Sequence, residues 1–177
     1  MFNLFRKKEP SLKVIDKIWM TETAKFQSIA DEWKKDNSIH FIFWFDDTLQ
    51  RASDFLAAQN TAPHTFFTAR EISNHSGSKI IFAEHNPLQQ KEKDLFEKLN
   101  LEEVTVWSSL DEPLFKHFGG DKIVGMMKQL GMKESESVEH KMISKSIVSA
   151  QEKIADKVQF EQSARSQKEW LEKNLPV

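Results

Sequence analysis

The chain has no cysteine, no tyrosine, few glycines and prolines, and a net charge of only −2 over 177 residues. Without cysteine there are no disulfides and no thiolate metal sites, and the composition fits a reducing compartment. Near-balanced charge and a pI of about 6.3 remove the electrostatic reason to expect nucleic acid as a partner. No run approaches the ~20 apolar residues of a membrane span, so no integral membrane segment is expected. The opening MFNLFRKKEP places Glu9 and Pro10 after its basic triplet, where a secretory signal would place an apolar core. Residues 1–10 are therefore read as a flexible terminus, and the protein as cytoplasmic. Neither an internal repeat nor a low-complexity segment is present.

What remains is a soluble, globular composition, 39% hydrophobic and 29% charged, long enough to bury a core without covalent staples. The aromatic complement, 14 Phe and 5 Trp, can fill that core or present adhesive surface.

Residues 11–36 read as an amphipathic N-terminal helix: Leu12, Ile15, Trp19, Phe26, Ile29 and Trp33 recur at helical spacing, and Ser11 can cap the start. Trp19 and Trp33 then share one stripe and are candidate interaction residues, with core packing as the commoner use of such a stripe. The apolar run Ile39 to Phe45 reads as a strand buried on both faces, followed through Asp46-Asp47 by a helix over TLQRASDFLAAQN. HTFFTA (64–69), KIIFAEH (79–85) and EEVTVWSSL (102–110) read as further strands, with a helix over PLQQKEKDLFEKLN between the last two. Alternating strands and helices predict an α/β fold over 37–118 with a small, largely parallel sheet of about four strands. Residues 119–177 read as a helical, scaffold-like segment ending in one long helix over 141–173, roughly 45–50 Å long. Trp170 near its end is read as an anchor docking the helix back near 11–36.

Several constellations invite chemistry. Asp46-Asp47 at a strand end could serve phosphoryl transfer, but the chain lacks the Gly-x-x-x-x-Gly-Lys-Ser/Thr loop that would hold phosphates. FDDTL also echoes a haloacid-dehalogenase-type strand end, yet Trp44 stands where the nucleophilic acid would be. Capping of the following helix is the plainer role for this pair. His64, His75 and His85 lack metal-ligand spacing. His85 beside Glu84 could act as an acid or base, though turn histidines are common.

The stretch FGGDKIVGMMKQLGM (118–132) holds Gly119, Gly120, Gly125 and Gly131. It lacks the spacing that aims successive N–H groups at one anion, and Asp121 would repel phosphate. It reads instead as a flexible joint at Gly119-Gly120, a cap at Asp121, and an apolar stripe of Ile123, Val124, Met126, Met127 and Leu130. Gly131 stops that helix.

From Leu110 onward, LDEPLFKHFGGDKIVGMMKQLGM and then VEHKMISKSIVSAQEKI resemble SecA, the ATPase that drives preproteins through the bacterial translocation channel. The resemblance covers Ser109 to Ile154 and corresponds to the place where SecA leaves its second RecA-like motor domain for its scaffold helix. Its carriers are Leu110, Asp111, Phe118, Gly119, Asp121, Ile123, Gly125, Met126, Met127, Leu130, Gly131, Met132, Glu139, His140, Ala150 and Gln151. Upstream, KIIFAEHNPLQQKEKDLFEKL and HFIFWFDDTLQRASDFLAA resemble that family's motor domain more loosely. The family's arginine-rich motif should fall between Glu84 and Val104, where this chain has no arginine. No phosphate-loop domain has a counterpart here, and lysines do not reproduce arginine-finger geometry. The resemblance thus implies a degenerate RecA-like domain without ATPase activity, needing no cofactor. As partners it implies export components (the translocation ATPase or its channel) or an unfolded preprotein, bound by a monomer or homodimer. Two other readings compete: a small phosphate or nucleotide hydrolase using Asp46, Asp47 and His85, and a self-assembling structural protein.

Overall fold

The computed structural model describes residues 12–72 and 78–175. They hold five strands and seven helices, the last four helices following the last strand. All the strands run parallel, in the order β1-β5-β4-β2-β3. The fold is α/β, consistent with a small RecA-like domain.

The first correction concerns 11–36, which is a strand and a helix rather than one helix. Strand β1 (Lys13–Trp19) pairs in parallel with β5 (Glu103–Ser109) along its full length, from Lys13 opposite Glu103 to Trp19 opposite Ser109. Val14, Ile15 and Ile18 are β-branched, so this stretch gives up little by extending. Helix α1 (Glu22–Lys35) starts where Thr21 Oγ1 accepts the Ala24 N–H at 3.2 Å. The proposed Ser11 cap lies outside the described residues.

Strand β2 (His40–Phe43) passes into α2 (Asp46–Ala57), β3 (Phe66–Thr68), β4 (Ile80–Phe82), α3 (Gln89–Lys98) and then β5. Alternation along these strands feeds two layers. Phe41, Phe43, Ile81, Ala83 and Trp107 pack under α1 and α2, whose Phe26, Ile29, Ala52 and Leu56 face them. Ile42, Phe82, Val104 and Val106 turn to the other face, against Leu95 and Phe96 of α3. Burial on both faces explains why β2 reads as an unbroken apolar run.

After β5 come α4 (Pro113–His117), α5 (Gly120–Gln129), α6 (Lys141–Ala155) and α7 (Gln167–Asn174). The single long helix expected over 141–173 is therefore two. Asp156 closes α6, and Ser166 caps α7 by accepting the Glu169 N–H at 3.1 Å. The Asn174 amide holds the intervening loop: its Oδ1 accepts the Gln162 N–H at 2.6 Å and its Nδ2 donates to Gln162 O at 2.9 Å. Trp170 is buried, as an anchor should be, but it packs with Phe45, Leu114, Ile154 and Leu175 rather than near α1. Val138 exchanges two backbone hydrogen bonds with Ile18, covering part of the outer edge of β1.

Candidate functional site

Chain direction diverges where β2 and β4 lie side by side: β2 leads outward to β3, and β4 leads back to β5. Crevices at the carboxyl ends of strands at such a point are where open α/β sheets place ligands. Here the crevice encloses about 260 Å³ and is lined by Glu22, Asp47, Arg51, Glu84, Asp111 and Glu112 among others. The N-terminus of α2, which could cradle an anion, is already served by a carboxylate. Glu84 Oε1 accepts the Phe45 N–H at 2.9 Å, and its Oε2 accepts from Thr48 Oγ1 at 2.8 Å.

Lys25, fully buried, donates to Glu112 Oε1 at 2.5 Å and to Ala83 O at 2.7 Å. Glu112 Oε1 also accepts the Ser109 N–H at 2.9 Å. Burial pushes the Glu84 carboxyl up to about 7, although nearby Lys25 pulls the other way. Burial likewise raises Glu112 above the ordinary range despite its bond to Lys25. Arg51 is bound by both Glu22 and Asp47. The crevice therefore has acceptors where a phosphate site would have donors.

Behind the sheet edge, His85 is sandwiched between two acids. Its Nδ1 lies 2.9 Å from Glu92 Oε1 and its Nε2 lies 3.0 Å from Asp16 Oδ1. Burial alone would lower the imidazole pKa, but the Glu92 charge and the bonds to Asp16 and Glu92 raise it to about 10. Asp16 is lowered because contact with His85 outweighs its own burial. Gln151 on α6 donates to Glu92 Oε2 at 3.0 Å and to Asn86 O at 2.7 Å. Gln167 on α7 donates to His85 O at 3.2 Å and accepts the Leu114 N–H at 2.7 Å. The C-terminal helices are thus fastened to the loop after β4 by buried amides.

The structure does not gather Asp46, Asp47 and His85 into one site. Asp46 pairs with Arg70 and Asp47 with Arg51, while His85 lines a different cavity from Asp47. Nor do the two acids cap α2 through their side chains: Phe45 is the cap residue, and the acids occupy the first turn, where they complement the helix dipole. Trp19 and Trp33 lie on different elements. Trp19 packs on Trp107 at 4.9 Å between ring centroids, and Trp33 donates through Nε1 to Thr65 Oγ1 at 2.9 Å. His64 meets the Trp33 ring edge-on, and His75 lies outside the described residues.

In the glycine stretch Gly120 is buried, with Leu110 O lying where a Cβ would fall. Gly119 takes φ of +85° and is itself the cap residue of α5, so the cap expected at Asp121 falls two residues earlier. At the far end Gly131 has φ of +81°, with Gly131 N donating to Lys128 O and Met132 N to Met127 O, both at 3.1 Å. Glu139 is exposed, and His140 Nδ1 accepts the Met142 N–H at 3.1 Å to start α6. Leu110 is buried beside Ile18 and Ile147, whereas Asp111 faces the crevice.

Between α4–α5 and α6 lies an apolar groove of about 260 Å³ lined by Phe118, Ile123, Met127, Met142, Ile147 and Ala150 among others. Of its lining residues Met142 is 69% exposed and Ile123 40%, and elsewhere on the α5 segment Met126 is 59% exposed and Leu130 85%. Isolated exposed apolar side chains are ordinary, but a group of them beside a groove marks a contact surface. Sequence reasoning named Phe118, Ile123, Met127 and Ala150 of this groove but not Met142, and it missed Lys25, Glu112, Asp16 and Glu92. The one trace of Lys25 is its place four residues before Ile29, on the buried side of α1.

No family model matches the chain. Over 46 residues, 26% of its length, it is 52% identical to the protein translocase subunit SecA of Acinetobacter baylyi. The same identity and coverage hold for SecA of Acidithiobacillus ferrooxidans and of Psychrobacter cryohalolentis. The matched stretch spans 5% of each of those proteins. The chain thus carries a SecA-like segment. Among the described residues, no helix is long and apolar enough to cross a membrane.

Proposed function

We propose that the protein is a non-catalytic binding module of protein export, which seats an apolar segment of a protein partner in the groove beside the glycine joint. The observation that carries this reading is the exposure of Ile123 and Met142, which line that groove within the stretch that resembles SecA. Methionine-rich surfaces adapt to varied apolar partners, which suits capture of unfolded chains. Carboxylates in the switch-point crevice, and the arginines that occupy Asp46 and Asp47, weigh against phosphate chemistry.

Fluorescence anisotropy tests the reading, with labelled protein titrated separately with SecA, with the translocation channel and with an unfolded presecretory polypeptide. Saturable binding to one of them is expected, and the paired substitution Ile123→Glu, Met142→Glu should weaken it by at least about tenfold. Absence of binding to all three at low salt would refute the proposal.

A further inference from the structure

Strand β1 is an edge of the sheet, and among the described residues its outer side is paired at one rung. There Ile18 N donates to Val138 O at 3.0 Å and Val138 N donates to Ile18 O at 2.9 Å, in the antiparallel sense. Backbone groups alternate sides along a strand. Lys13 N and Trp19 O bond inward, to Glu102 O and Leu110 N, so Val14, Asp16 and Ile18 turn their N–H and C=O outward. Among the described residues no backbone group bonds to Val14 or Asp16 on that side.

The ladder begun by Val138 stops because His140 caps α6 and the chain leaves the edge. Beside the unpaired stretch lies a cavity of about 470 Å³, with Val14, Ile15 and Asp16 on one side and His140, Lys141 and Ser144 on the other. Asp16 is buried and closes the inner end, whereas Val14 is only half-buried and opens on that space. An open strand edge with room beside it is the geometry into which an extended chain adds as a further strand.

A second copy of β1 is the rival occupant, and charge weighs against it. Self-pairing that engages Val14 of one copy with Asp16 of the other sets Lys13 opposite Lys17, and like charges directly opposite destabilise a pair. An extended segment of another polypeptide meets no such conflict where neutral or acidic residues face those lysines. We propose that the outer edge of β1 takes an extended, non-basic segment of an unfolded polypeptide as an added antiparallel strand, hydrogen-bonded at Val14. This edge shares no lining residue with the apolar groove and does not depend on the reading given above.

The test uses the full chain and a labelled, capped peptide, Glu-Val-Thr-Val-Thr-Val-Glu, followed by fluorescence anisotropy. Saturable binding is expected, and by NMR the Val14 amide should exchange more slowly once peptide is added. Methylating every other backbone nitrogen of the peptide keeps all side chains and removes donors; in at least one of the two alternating sets, binding should weaken by about tenfold or more. Val14→Pro deletes the outward N–H while leaving the bonds to β5, as proline at a sheet edge does, and should weaken binding similarly. The groove variant Ile123→Glu, Met142→Glu should bind this peptide like the parent, which separates failure of the edge from failure of the groove. Absence of binding overturns the proposal, as does undiminished binding of both methylated sets. A Val14 amide already protected before peptide is added also overturns it, since the edge is then occupied by this chain or its copy. Where Val14→Pro does not fold, the methylated peptides and the exchange measurement decide.

Discussion

Gln151 and Glu92 stand 59 residues apart in sequence and meet at 3.0 Å inside the protein. The same amide nitrogen of Gln151 also reaches Asn86 O. A residue of the SecA-like stretch thereby fixes α6 to the acid that holds His85. Gln151→Ala removes the donor from two buried acceptors and should cost about 2 kcal/mol, measured by urea denaturation. Gln151→Glu should cost more, because it faces Glu92 with a second buried carboxylate.

The His85 sandwich makes stability depend on pH. Its pKa rises from 6.5 to about 10 on folding, so the native state binds the proton more tightly. That contribution is complete below pH 6.5 and is lost as pH climbs through about 10. Unfolding midpoints should therefore decline over this alkaline window. His85→Asn should flatten that decline and cost about 3–5 kcal/mol near pH 7, since Asp16 and Glu92 lose their counter-charge.

Glu84 behaves in the same sense for a different reason. Burial raises it from 4.5 to about 7, so its contribution is complete below pH 4.5 and is lost as pH rises through about 7. Glu84→Gln keeps an acceptor for the Phe45 N–H and carries no charge to desolvate. It should be more stable than the parent at pH 8 by about 1–3 kcal/mol, with the difference vanishing below pH 4.5. Thermal melts across this range measure it.

The glycines of the joint should separate by mechanism. At Gly120 a Cβ would lie 2.2 Å from Leu110 O, so Gly120→Ala must displace backbone and should be strongly destabilising. Gly119→Ala has space but a φ of +85°, and should cost about 1–2 kcal/mol. Gly125, inside α5 with nothing within 4 Å of its absent Cβ, should gain about 0.5–1 kcal/mol as alanine. Chemical denaturation of the three variants gives the order directly.

Trp170 is 2% exposed and fills the junction between α7 and the loop after β2. Trp170→Ala should cost about 3–5 kcal/mol. Limited proteolysis should then cut within 156–166, the stretch that α7 holds in place.

The central strands were legible because β2, β4 and β5 are short apolar runs between turns, and their helices carry a clear stripe. The joint was legible for a similar reason: glycine at a left-handed φ is a local requirement, and Gly119 and Gly131 meet it. Strand β1 was not, since Ile15 and Trp19 continue a helical spacing into α1. The clues to extension, Val14, Ile15 and Ile18, acquire their force only from pairing with β5. The break in the long C-terminal helix was hidden as well, because residues 156–166 contain no glycine or proline. What interrupts the helix is the bonding of Asn174 to Gln162 and the burial of Trp170.

The sequence by itself therefore determined the α/β alternation, the glycine joint and the SecA-like stretch, all of which follow from local periodicity, backbone preference or residue identity. Tertiary structure alone decided which charges are buried together. Lys25 with Glu112, and His85 between Asp16 and Glu92, are ordinary surface residue types in the linear chain. Only the parallel order of the strands brings Asp16 of β1, Lys25 of α1, His85 after β4, Glu92 of α3 and Glu112 after β5 within reach of one another, where desolvation turns those side chains into pairs.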